Sequence, residues 1–457
     1  MLLDSRSGGD VVLVDASSGA TTTVDDVRAR AAELAEQASA LTFLVADASV
    51  GSWLTGLALL EARSPFALID PGMGRDAMLA LVDRYAPDRI IDPAGVLIDG
   101  GEWRSAAPTT ETHPDLAVLL TTSGTTGSPR FVRLSADNVA HNARQIAEAL
   151  SLGPGDRAAT TMPLTYSFGL SVLTSHAVSG GSLVVSTRSV IEPGFWDELA
   201  RQGATTMAGV PVTFKMLKRL GFADRETTVS TLIQAGGRLD PELVAHFHEA
   251  LTARGGRFFV MYGQTEASPR MSVLPHDLLP AKLGSVGLPL AGGRLRILDA
   301  QDRELPPMTT GRVVYDGPNV MMGYADSPAD LALGDVFGDV LDTGDEGHLD
   351  DDGCLYLSGR TKRICKLSGV RISLDEVEAL AAAIVPDGAD VAAYSTGDDA
   401  LVLVVEGGHD GSDEIRRTLA NRLKVPPKLL TVRVGEVLPR LSNGKPDYRT
   451  LQTEVVG

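Results

Sequence analysis

One stretch of the chain, from Leu119 to Arg130, consists mainly of glycines and hydroxylated residues and ends in a cation. Its sequence is Leu-Leu-Thr-Thr-Ser-Gly-Thr-Thr-Gly-Ser-Pro-Arg. Such a run suits the wrapping of backbone N–H groups and hydroxyls around a polyphosphate. A Walker A loop is excluded, because Pro129 and Arg130 stand where that pattern needs lysine followed by serine or threonine. Taken alone the run is equally typical of a surface loop, so nucleotide chemistry is a first hypothesis.

Four further segments contain residues that could carry chemistry. They are Tyr262-Gly-Gln-Thr-Glu-Ala267, Leu341-Asp-Thr-Gly-Asp345, Gly359-Arg-Thr-Lys362 and Pro439-Arg-Leu-Ser-Asn-Gly-Lys-Pro-Asp447. In this order and at these separations, the five segments resemble the adenylate-forming superfamily of acyl-CoA synthetases, carrier-protein-loading adenylation domains and luciferases. The resemblance runs from about Thr21 to Gln452. It implies an ATP- and Mg²⁺-dependent ligase that forms an acyl-adenylate and passes the acyl group to a pantetheine thiol.

The resemblance assigns the β- and γ-phosphates of ATP to the glycine-rich run. The residues it implies are Thr122, Ser123, Gly124, Thr125, Thr126 and Gly127. Arg130 stands where the family usually has lysine. An arginine keeps the charge and adds a bidentate fork, so phosphate contact is expected to survive with a different geometry.

The remaining nucleotide contacts are also implied by the resemblance. Tyr262 is placed against adenine with Gly263 and Gln264 beside it, Thr265 on the α-phosphate and Glu266 on Mg²⁺, a metal that often binds through one carboxylate plus phosphate oxygens. Asp345, in a Thr-Gly-Asp turn, is implied to accept hydrogen bonds from the ribose hydroxyls, and Arg360 to contact ribose and phosphate. One side of the adenine and substrate pocket is assigned to Gly236, Gly237 and Arg238, although glycines there also fit a plain tight turn.

Two lysines in the last hundred residues are assigned roles in catalysis and in domain movement. The Asn443-Gly444 pair permits a sharp turn that would project Lys445 from a small domain. The resemblance implies that Lys445 bridges the carboxylate and the α-phosphate during adenylation. Lys362 stands where relatives carry the residue about which the small domain rotates, and hinges usually lie at such boundaries.

The acid pocket is the least readable part of the sequence. Family position suggests Tyr166, Phe168, Gly209 and Arg270. Many relatives carry histidine where Tyr166 stands, which leaves Tyr166 as a shape and hydrogen-bond element. Arg270 could pair with a substrate anion or with the local backbone. The acid could be short, fatty or aromatic, and its identity stays open.

The acceptor and the reaction class also stay open at this point. The thiol could belong to coenzyme A or to the phosphopantetheine of a carrier protein acting in trans. A second hypothesis is that an amine captures the activated acid, or that a non-carboxylate oxyanion such as nitrite is activated. A third is a non-catalytic nucleotide-binding module, but the joint presence of Glu266, Asp345, Arg360 and Lys445 favours an enzyme.

Bulk properties agree with a cytoplasmic enzyme. The net charge of −18 argues against nucleic acid as a partner. Cys354 and Cys365 lack metal-ligand spacing, and so few cysteines are typical of a reducing compartment. The N-terminus has no basic-then-apolar export signal, and no stretch approaches the about 18 apolar residues of a membrane span.

The elements that must position these residues alternate between helical and strand patterns. Helices are predicted at Val24–Ala40 and Ser52–Ala62, and strands at Thr42–Val45 and Phe66–Ile69. Such alternation favours parallel sheets covered by helices. At 457 residues the chain exceeds what one hydrophobic core usually serves, so more than one domain is expected.

Later segments predict a change of architecture. From Gly293 to Asp350 short strands separated by Gly, Pro and Asp, among them Gly347–Leu349, indicate a β-rich subdomain. Further on, the patterns predict a hairpin of Ala389–Tyr394 and Ala400–Glu406 and a helix at Ser412–Leu423. The fold class is therefore α/β. Layered α/β subdomains and the β-rich one form a large N-terminal domain (1–359), followed by a small mobile α+β C-terminal domain (360–457).

Overall fold

The structure is a computed structural model that groups the chain into two compact units. It describes residues 1–36, 41–93, 95–98, 102–105, 110–122, 130–360, 363–367, 370–385, 389–395, 400–407, 411–423, 425–441 and 445–453. The first unit contains Met1–Leu295 and Tyr315–Leu341, and the second contains Arg296–Val314 and Asp342–Gly457. The predicted domain boundary at 359/360 lies inside the second unit and stays a prediction.

The first unit contains two sheets. Seven strands of the described residues form one of them, in the spatial order Gly323–Ala325, Arg130–Ser135, Leu116–Thr122, Phe66–Ile69, Thr42–Val45, Arg89–Ile91 and Glu102–Arg104. The four strands from Leu116–Thr122 to Arg89–Ile91 run parallel, and the outer pairings are antiparallel. Parallel strands need covering on both faces, which the helices of this unit supply.

The second sheet contains nine strands within the described ranges. Their order is Leu288–Pro289, Arg270–Leu274, Arg257–Gly263, Thr231–Gln234, Thr206–Gly209, Arg157–Ala159, Ser182–Val185, Val11–Asp15 and Thr21–Thr23. The six from Arg257–Gly263 to Val11–Asp15 are parallel. Antiparallel strands close both edges.

Helices of the first unit start at recognisable capping signals. Their bounds are Val24–Ala35, Val50–Glu61, Arg75–Tyr85, Ala136–Leu150, Ser167–Ser179, Pro193–Gln202, Pro211–Arg219 and Pro241–Thr252. Thr23 and Ser135 each form a capping box, and three of these helices begin with proline, which lacks the N–H that would go unsatisfied there.

The helix Ser167–Ser179 lies in the core that both sheets share. All residues from Ser167 to Ala177 are buried, so this stretch has no exposed face, and the Ser171 and Ser175 hydroxyls donate to carbonyls within the helix. One apolar cluster joins it to both sheets, through Leu68 and Leu120 of the first and Leu183 and Ile233 of the second. The core therefore fixes the start of this helix, where predicted pocket residues lie.

The second unit is built from small sheets and short helices. A four-stranded sheet, most of which belongs to this unit, has the order Arg294–Leu298, Gly311–Asp316, Val340–Leu349 and Leu355–Arg360. A hairpin of Ile364–Leu367 and Val370–Ser373 follows. The last sheet has the order Val391–Ser395, Leu401–Glu406 and Leu430–Glu436, and the helices are Leu374–Ala382, Ser412–Leu423 and Tyr448–Thr453.

Most of the predicted elements are confirmed, with four differences. The strands of the predicted hairpin are Val391–Ser395 and Leu401–Glu406, so both begin later than predicted. The strands Thr42–Val45 and Phe66–Ile69 and the helix Ser412–Leu423 have the predicted bounds, and the later strands pair as an antiparallel hairpin. The first helix ends at Ala35, and residues 37–40 lie outside the described chain. The second begins at Val50 and ends at Glu61, because Ser49 caps it. The short strand predicted at Gly347–Leu349 is the end of a longer one, Val340–Leu349.

The α/β class is confirmed. None of the helices in the described chain combines the length and the apolar composition that a membrane crossing needs.

Candidate active site

Several predicted site segments lie at the carboxyl ends of neighbouring parallel strands. Gly209 ends one strand and pairs in register with Gln234, the last residue of the next. Gln234 in turn pairs with Val260 of the strand that ends at Gly263. Ligands of open α/β sheets bind at this edge. The edge therefore collects Gly209, the segment that follows Gln234 and the Tyr262–Glu266 motif.

The turn after Gln234 packs against predicted pocket residue Tyr166. Gly236 has φ of +81°, and a Cβ there would lie 2.9 Å from the Tyr166 hydroxyl oxygen, so a larger residue would be strained and crowded. The Gln234 side chain closes the turn by donating to the Gly237 carbonyl at 2.8 Å. Gly237 and Arg238 are exposed. The segment is thus a tight turn, which was one interpretation of its glycines, and it also contacts the predicted pocket residue Tyr166.

The Tyr262–Glu266 motif leaves the sheet at a point where only glycine fits. A Cβ on Gly263 would lie 1.9 Å from the Pro269 carbonyl oxygen. A short turn at Thr265–Ala267 follows, and the Tyr262 side chain is buried. The Thr265 hydroxyl donates to the hydroxyl of buried Ser167 at 3.2 Å. Thr265 is therefore held at the first residue of the buried helix.

Glu266 belongs to a chain of three polar side chains. The Tyr324 hydroxyl donates to Glu266 Oε1 at 2.9 Å, and the Arg130 guanidinium carbon lies 3.5 Å from the centre of the Tyr324 ring. Burial and the neighbouring Glu266 carboxylate raise the pKa of Tyr324 above its ordinary value. Tyr324 therefore stays a protonated donor and joins the predicted metal ligand to the predicted phosphate cation.

Three side chains that support this site were not predicted from the sequence. Buried Asn319 donates to the carbonyls of Ala267 and Arg270 at 2.6 and 2.9 Å, and buried Asn142 bonds both the N–H and the carbonyl of Arg270. Tyr324 is the third. Nothing in the spacing of these residues separates them from ordinary polar positions, because their partners are far away in the chain.

The donor set around Glu266 suits magnesium. Among the described residues no group of three or more His, Cys, Asp or Glu side chains could hold a metal ion. Magnesium commonly uses one or two carboxylates together with phosphate oxygens and water. A half-buried carboxylate beside the Thr265 hydroxyl fits that pattern.

The two ends of the glycine-rich run lie on neighbouring strands of the first sheet. Thr122 and Arg130 face each other in register at the ends of two antiparallel strands. The predicted contacts Ser123, Gly124, Thr125, Thr126 and Gly127 lie outside the described residues, as does the side chain of Thr122. The structure therefore positions the two ends of the predicted phosphate loop.

The predicted pocket residues Tyr166, Phe168 and Arg270 lie together. The Arg270 guanidinium carbon is 4.0 Å from the centre of the Phe168 ring, and the Phe168 and Tyr166 rings meet edge to face at 6.4 Å. Arg270 is only 4% exposed. Burial lowers the pKa of Arg270 to about 10, so it remains charged at neutral pH.

The second unit holds the remaining predicted residues. Asp345 is buried and pairs in register with Arg360, whose side chain lies outside the described part. The prediction that Asp345 stands in a turn was wrong, because Thr343–Asp345 lies within a strand, in which Gly344 has φ of +70°. The Lys445 carbonyl accepts from the Leu441 N–H at 2.8 Å, next to a bridge between Arg440 and Pro446. Lys362 is not among the described residues.

Comparisons with known proteins show to which family the chain is related. The model of the AMP-binding enzyme family matches residues 7–325. The chain is 34% identical over 278 residues to the sulfoacetate–CoA ligase of Cupriavidus necator, an alignment that covers 60% of this chain and 53% of that protein. It is 31% identical over 365 residues to the long-chain-fatty-acid–CoA ligase of Salmonella typhimurium, covering 75% and 62%. The chain thus spans less than two thirds of the length of these two relatives.

Solved structures show the same fold. The o-succinylbenzoate CoA synthetase MenE of Bacillus subtilis, in complex with its acyl-adenylate intermediate, matches with a TM-score of 0.80 at 21% identity, over 98% of this chain and 96% of that one. ATP-bound MatB of Rhodopseudomonas palustris matches with a TM-score of 0.81 at 22% identity, over 99% and 97%. Together with the family match over more than half of its length, the site geometry leads to one conclusion: the chain belongs to the AMP-binding enzyme family.

Proposed function

We propose that the protein is an ATP- and Mg²⁺-dependent ligase that adenylates a carboxylic acid and passes the acyl group to the thiol of coenzyme A. The observation that carries the proposal is the cluster of Thr265, Glu266, Tyr324 and Arg130, which lies beside the buried pocket of Tyr166, Phe168 and Arg270. A hydroxyl, a carboxylate and a cation at one edge of a sheet suit a polyphosphate and its metal.

In the first step a carboxylate oxygen of the substrate forms a bond to the α-phosphorus of ATP. The bond from that phosphorus to the bridging oxygen breaks, and pyrophosphate leaves with the electron pair. Mg²⁺, held by Glu266 and phosphate oxygens, would neutralise charge on the phosphates. Thr265 would orient the α-phosphate, and Lys445 would neutralise charge between the two reacting anions. Preorganised charge of this kind is usually the largest contribution to catalysis.

In the second step a thiolate attacks the acyl carbon of the adenylate. The carbon–sulfur bond forms, the bond from the acyl carbon to the phosphate oxygen breaks, and AMP leaves. Lys445 lies in the second unit, whereas Thr265 and Glu266 lie in the first. The proposal therefore needs a movement about Lys362 that exchanges Lys445 for the thiol between the two steps.

Coenzyme A is proposed as the acceptor because the relatives described above are named CoA ligases. A structure of MenE is described as a complex with ATP and magnesium ion, which supports the same cosubstrates here. A carrier protein acting in trans remains the second candidate acceptor. We propose the cytoplasm as the compartment, supported by Cys354 and Cys365 being free thiols.

ATP–pyrophosphate exchange that depends on an added acid tests the first step. The panel should contain short, fatty, aromatic and amino acids and nitrite, with Lys445→Ala as the variant. Exchange with one class of carboxylic acid that falls about 10²–10³-fold in the variant would support the proposal, whereas exchange with nitrite alone would contradict it. No exchange with any acid, despite measurable ATP binding, would contradict the proposal.

The acceptor is tested separately by AMP release with the active acid. Release that requires coenzyme A supports the proposed ligase. AMP release that requires an amine, or that requires no acceptor, would overturn the choice of a thiol.

A further inference from the structure

Two buried arginines of the first unit, Arg133 and Arg6, each donate hydrogen bonds to several backbone carbonyls. Arg133 donates to the carbonyls of Tyr324 and Met322 at 3.2 and 3.0 Å, with further carbonyls at Leu333 and Gly334. Arg6 donates to Gly181 and Val11 at 2.8 and 2.9 Å. Several backbone carbonyls per guanidinium explain why these charges can stay buried.

Arg270 differs from them. It is 96% buried, yet within the described chain its guanidinium has no hydrogen bond and no carboxylate partner. Its guanidinium contacts the face of Phe168, and among the described residues the charge interaction that affects its pKa comes from Tyr166. The main chain of Arg270, by contrast, is fixed by both Asn142 and Asn319. The side chain is thus held in place by its surroundings but not neutralised by them.

Such an arrangement is costly without an additional partner. A buried charge is normally paired or forms several hydrogen bonds. A cation–π contact contributes about 2 kcal/mol when desolvated, which offsets only part of the loss of water. Burial lowers the pKa of Arg270 to about 10, which shows that the loss of water still disfavours the charged guanidinium.

The position of Arg270 decides what the missing partner is. Arg270 pairs in register with Gly263, three residues from Glu266 along the same motif. Phe168, on which it stacks, follows Ser167, which accepts from the predicted α-phosphate ligand Thr265. Arg270 therefore belongs to the same group of side chains as the proposed acid pocket, and Gly263 and Phe168 connect it to the reacting end.

We propose that Arg270 binds a second anionic group of the acid substrate. The substrate class is then a carboxylic acid that carries a further carboxylate or comparable anion, one end reacting with ATP and the other paired with Arg270. This inference rests on the proposed adenylation only for the reaction of one end of the acid with ATP, and not for the binding of the other end to Arg270. Binding of a dianionic acid to Arg270 can be measured whether or not the acid is adenylated.

The experiment compares pairs of acids that differ in one anionic group. Malonate, succinate, glutarate and terephthalate are each matched with the monoacid in which an isopropyl group replaces one carboxylate. Calorimetric binding in the presence of ATP and acid-dependent ATP–pyrophosphate exchange are both measured. The variants are Arg270→Met, Arg270→Lys and the control Arg254→Met, which removes an exposed arginine that also stacks on a phenylalanine, Phe222.

The expected result is a preference for at least one dianionic acid over its matched monoacid. Arg270→Met should lower the affinity for that acid about 10²–10³-fold, as loss of one partner of a buried charge pair does. The affinities for the monoacid and for ATP should stay within a few fold of the wild-type values. Arg270→Lys should restore part of the preference, because the charge returns without the bidentate fork. Arg254→Met should change none of these values.

Three outcomes would overturn the inference. One is wild-type protein that prefers the monoacid of every pair or binds no dianionic acid. Another is an Arg270→Met variant that weakens both members of a pair equally, as a merely structural residue would. The third is an equal loss of ATP affinity, which would make Arg270 a phosphate ligand. If Arg270-dependent binding of a dianion occurs without any exchange, the inference stands and the proposed adenylation fails.

Discussion

At the scale of single residues, the candidate site depends on the hydrogen bond that Tyr324 donates to Glu266. Burial raises the pKa of Tyr324, so its hydroxyl remains a donor to Glu266 through the physiological range. The donated hydrogen bond fixes one carboxylate oxygen. Orientation of the carboxylate is therefore set before any metal binds, which is the role that outer partners of metal ligands usually have.

Glu266→Gln tests the metal-ligand role. The amide keeps the shape and removes the charge, so we expect acid-dependent exchange to fall about 10²–10³-fold and the Mg²⁺ concentration for half-maximal rate to rise. Tyr324→Phe removes only the hydrogen bond and should lower the exchange rate by about 10- to 100-fold, since a bond to a charged group is worth about 1.5–3 kcal/mol. Unchanged magnesium dependence in Glu266→Gln would remove Glu266 from the metal site.

Arg270→Met should stabilise the folded protein while it impairs recognition. Burial lowers the pKa of Arg270 to about 10 from its ordinary 12.5, and one pKa unit corresponds to about 1.4 kcal/mol, so the gain is up to about 3 kcal/mol. Below pH 10 the arginine is charged in both states and the gain is complete. Above pH 10 the native state loses the proton first, so the difference between variant and wild type shrinks as pH rises. Urea unfolding at pH 7 and at pH 10.5 measures both values, and a destabilised variant at pH 7 would contradict the argument.

At the scale of elements, the site depends on loops that are fixed by close backbone contacts. The motif strand can reach the Thr265–Ala267 turn only because Gly263 leaves room for the Pro269 carbonyl. Asn319 then ties that turn to the segment that leads to Tyr324. A displacement of this turn would move Thr265 and Glu266 together.

Gly263→Ala should therefore be strongly destabilising. A Cβ at 1.9 Å from a backbone oxygen cannot be relieved by a rotamer change, and overpacking typically costs about 1–3 kcal/mol or more. Gly155→Ala is the matched control, since a Cβ there meets nothing within 4 Å. Urea midpoints compare the two at constant slope. Equal midpoints would show that the backbone at Gly263 can shift freely.

The elements also show what a sequence can and cannot reveal. The bounds of Thr42–Val45, Phe66–Ile69 and Ser412–Leu423 were predictable because periodicity and capping are local signals. The Thr343–Asp345 segment was misread because glycine and aspartate favour turns, whereas pairing with Leu355–Arg360 keeps it in a strand. Glu266 and Thr265 were predicted from their motif, but Tyr324 bonds Glu266, and Asn319 bonds the neighbouring Ala267, across more than fifty residues of chain. Such pairings depend on sheet order, which local patterns do not encode.

At the scale of the whole molecule, the proposed reaction needs residues from both compact units. The first contributes Thr265, Glu266 and Arg270, and the second contributes Asp345 and Lys445. A reaction in two steps can use such a division, because a movement of the segment that carries Lys445 would exchange this lysine for the thiol.

Lys362→Pro tests whether the part of the second unit that follows residue 362, and that carries Lys445, moves about this position. Proline restricts φ and removes an N–H, so a movement about this position should be hindered. We expect thioester formation to fall at least tenfold more than ATP–pyrophosphate exchange. Lys362→Ala serves as the control, because it removes the charge without restricting the backbone. Equal loss of both steps in Lys362→Pro, or the same pattern in Lys362→Ala, would rule out the hinge.

The route of the chain between the two units has a consequence for recombination. The chain enters the second unit at Arg296, returns to the first at Tyr315 and leaves it again at Asp342. The returning stretch carries Asn319 and Tyr324, and the strands on either side of it belong to one four-stranded sheet. A crossover between homologous genes at any of these three points would combine strands of different parents within that sheet. A crossover just after Arg360 leaves the sheet whole, so exchange of C-terminal segments among relatives should succeed there and fail upstream.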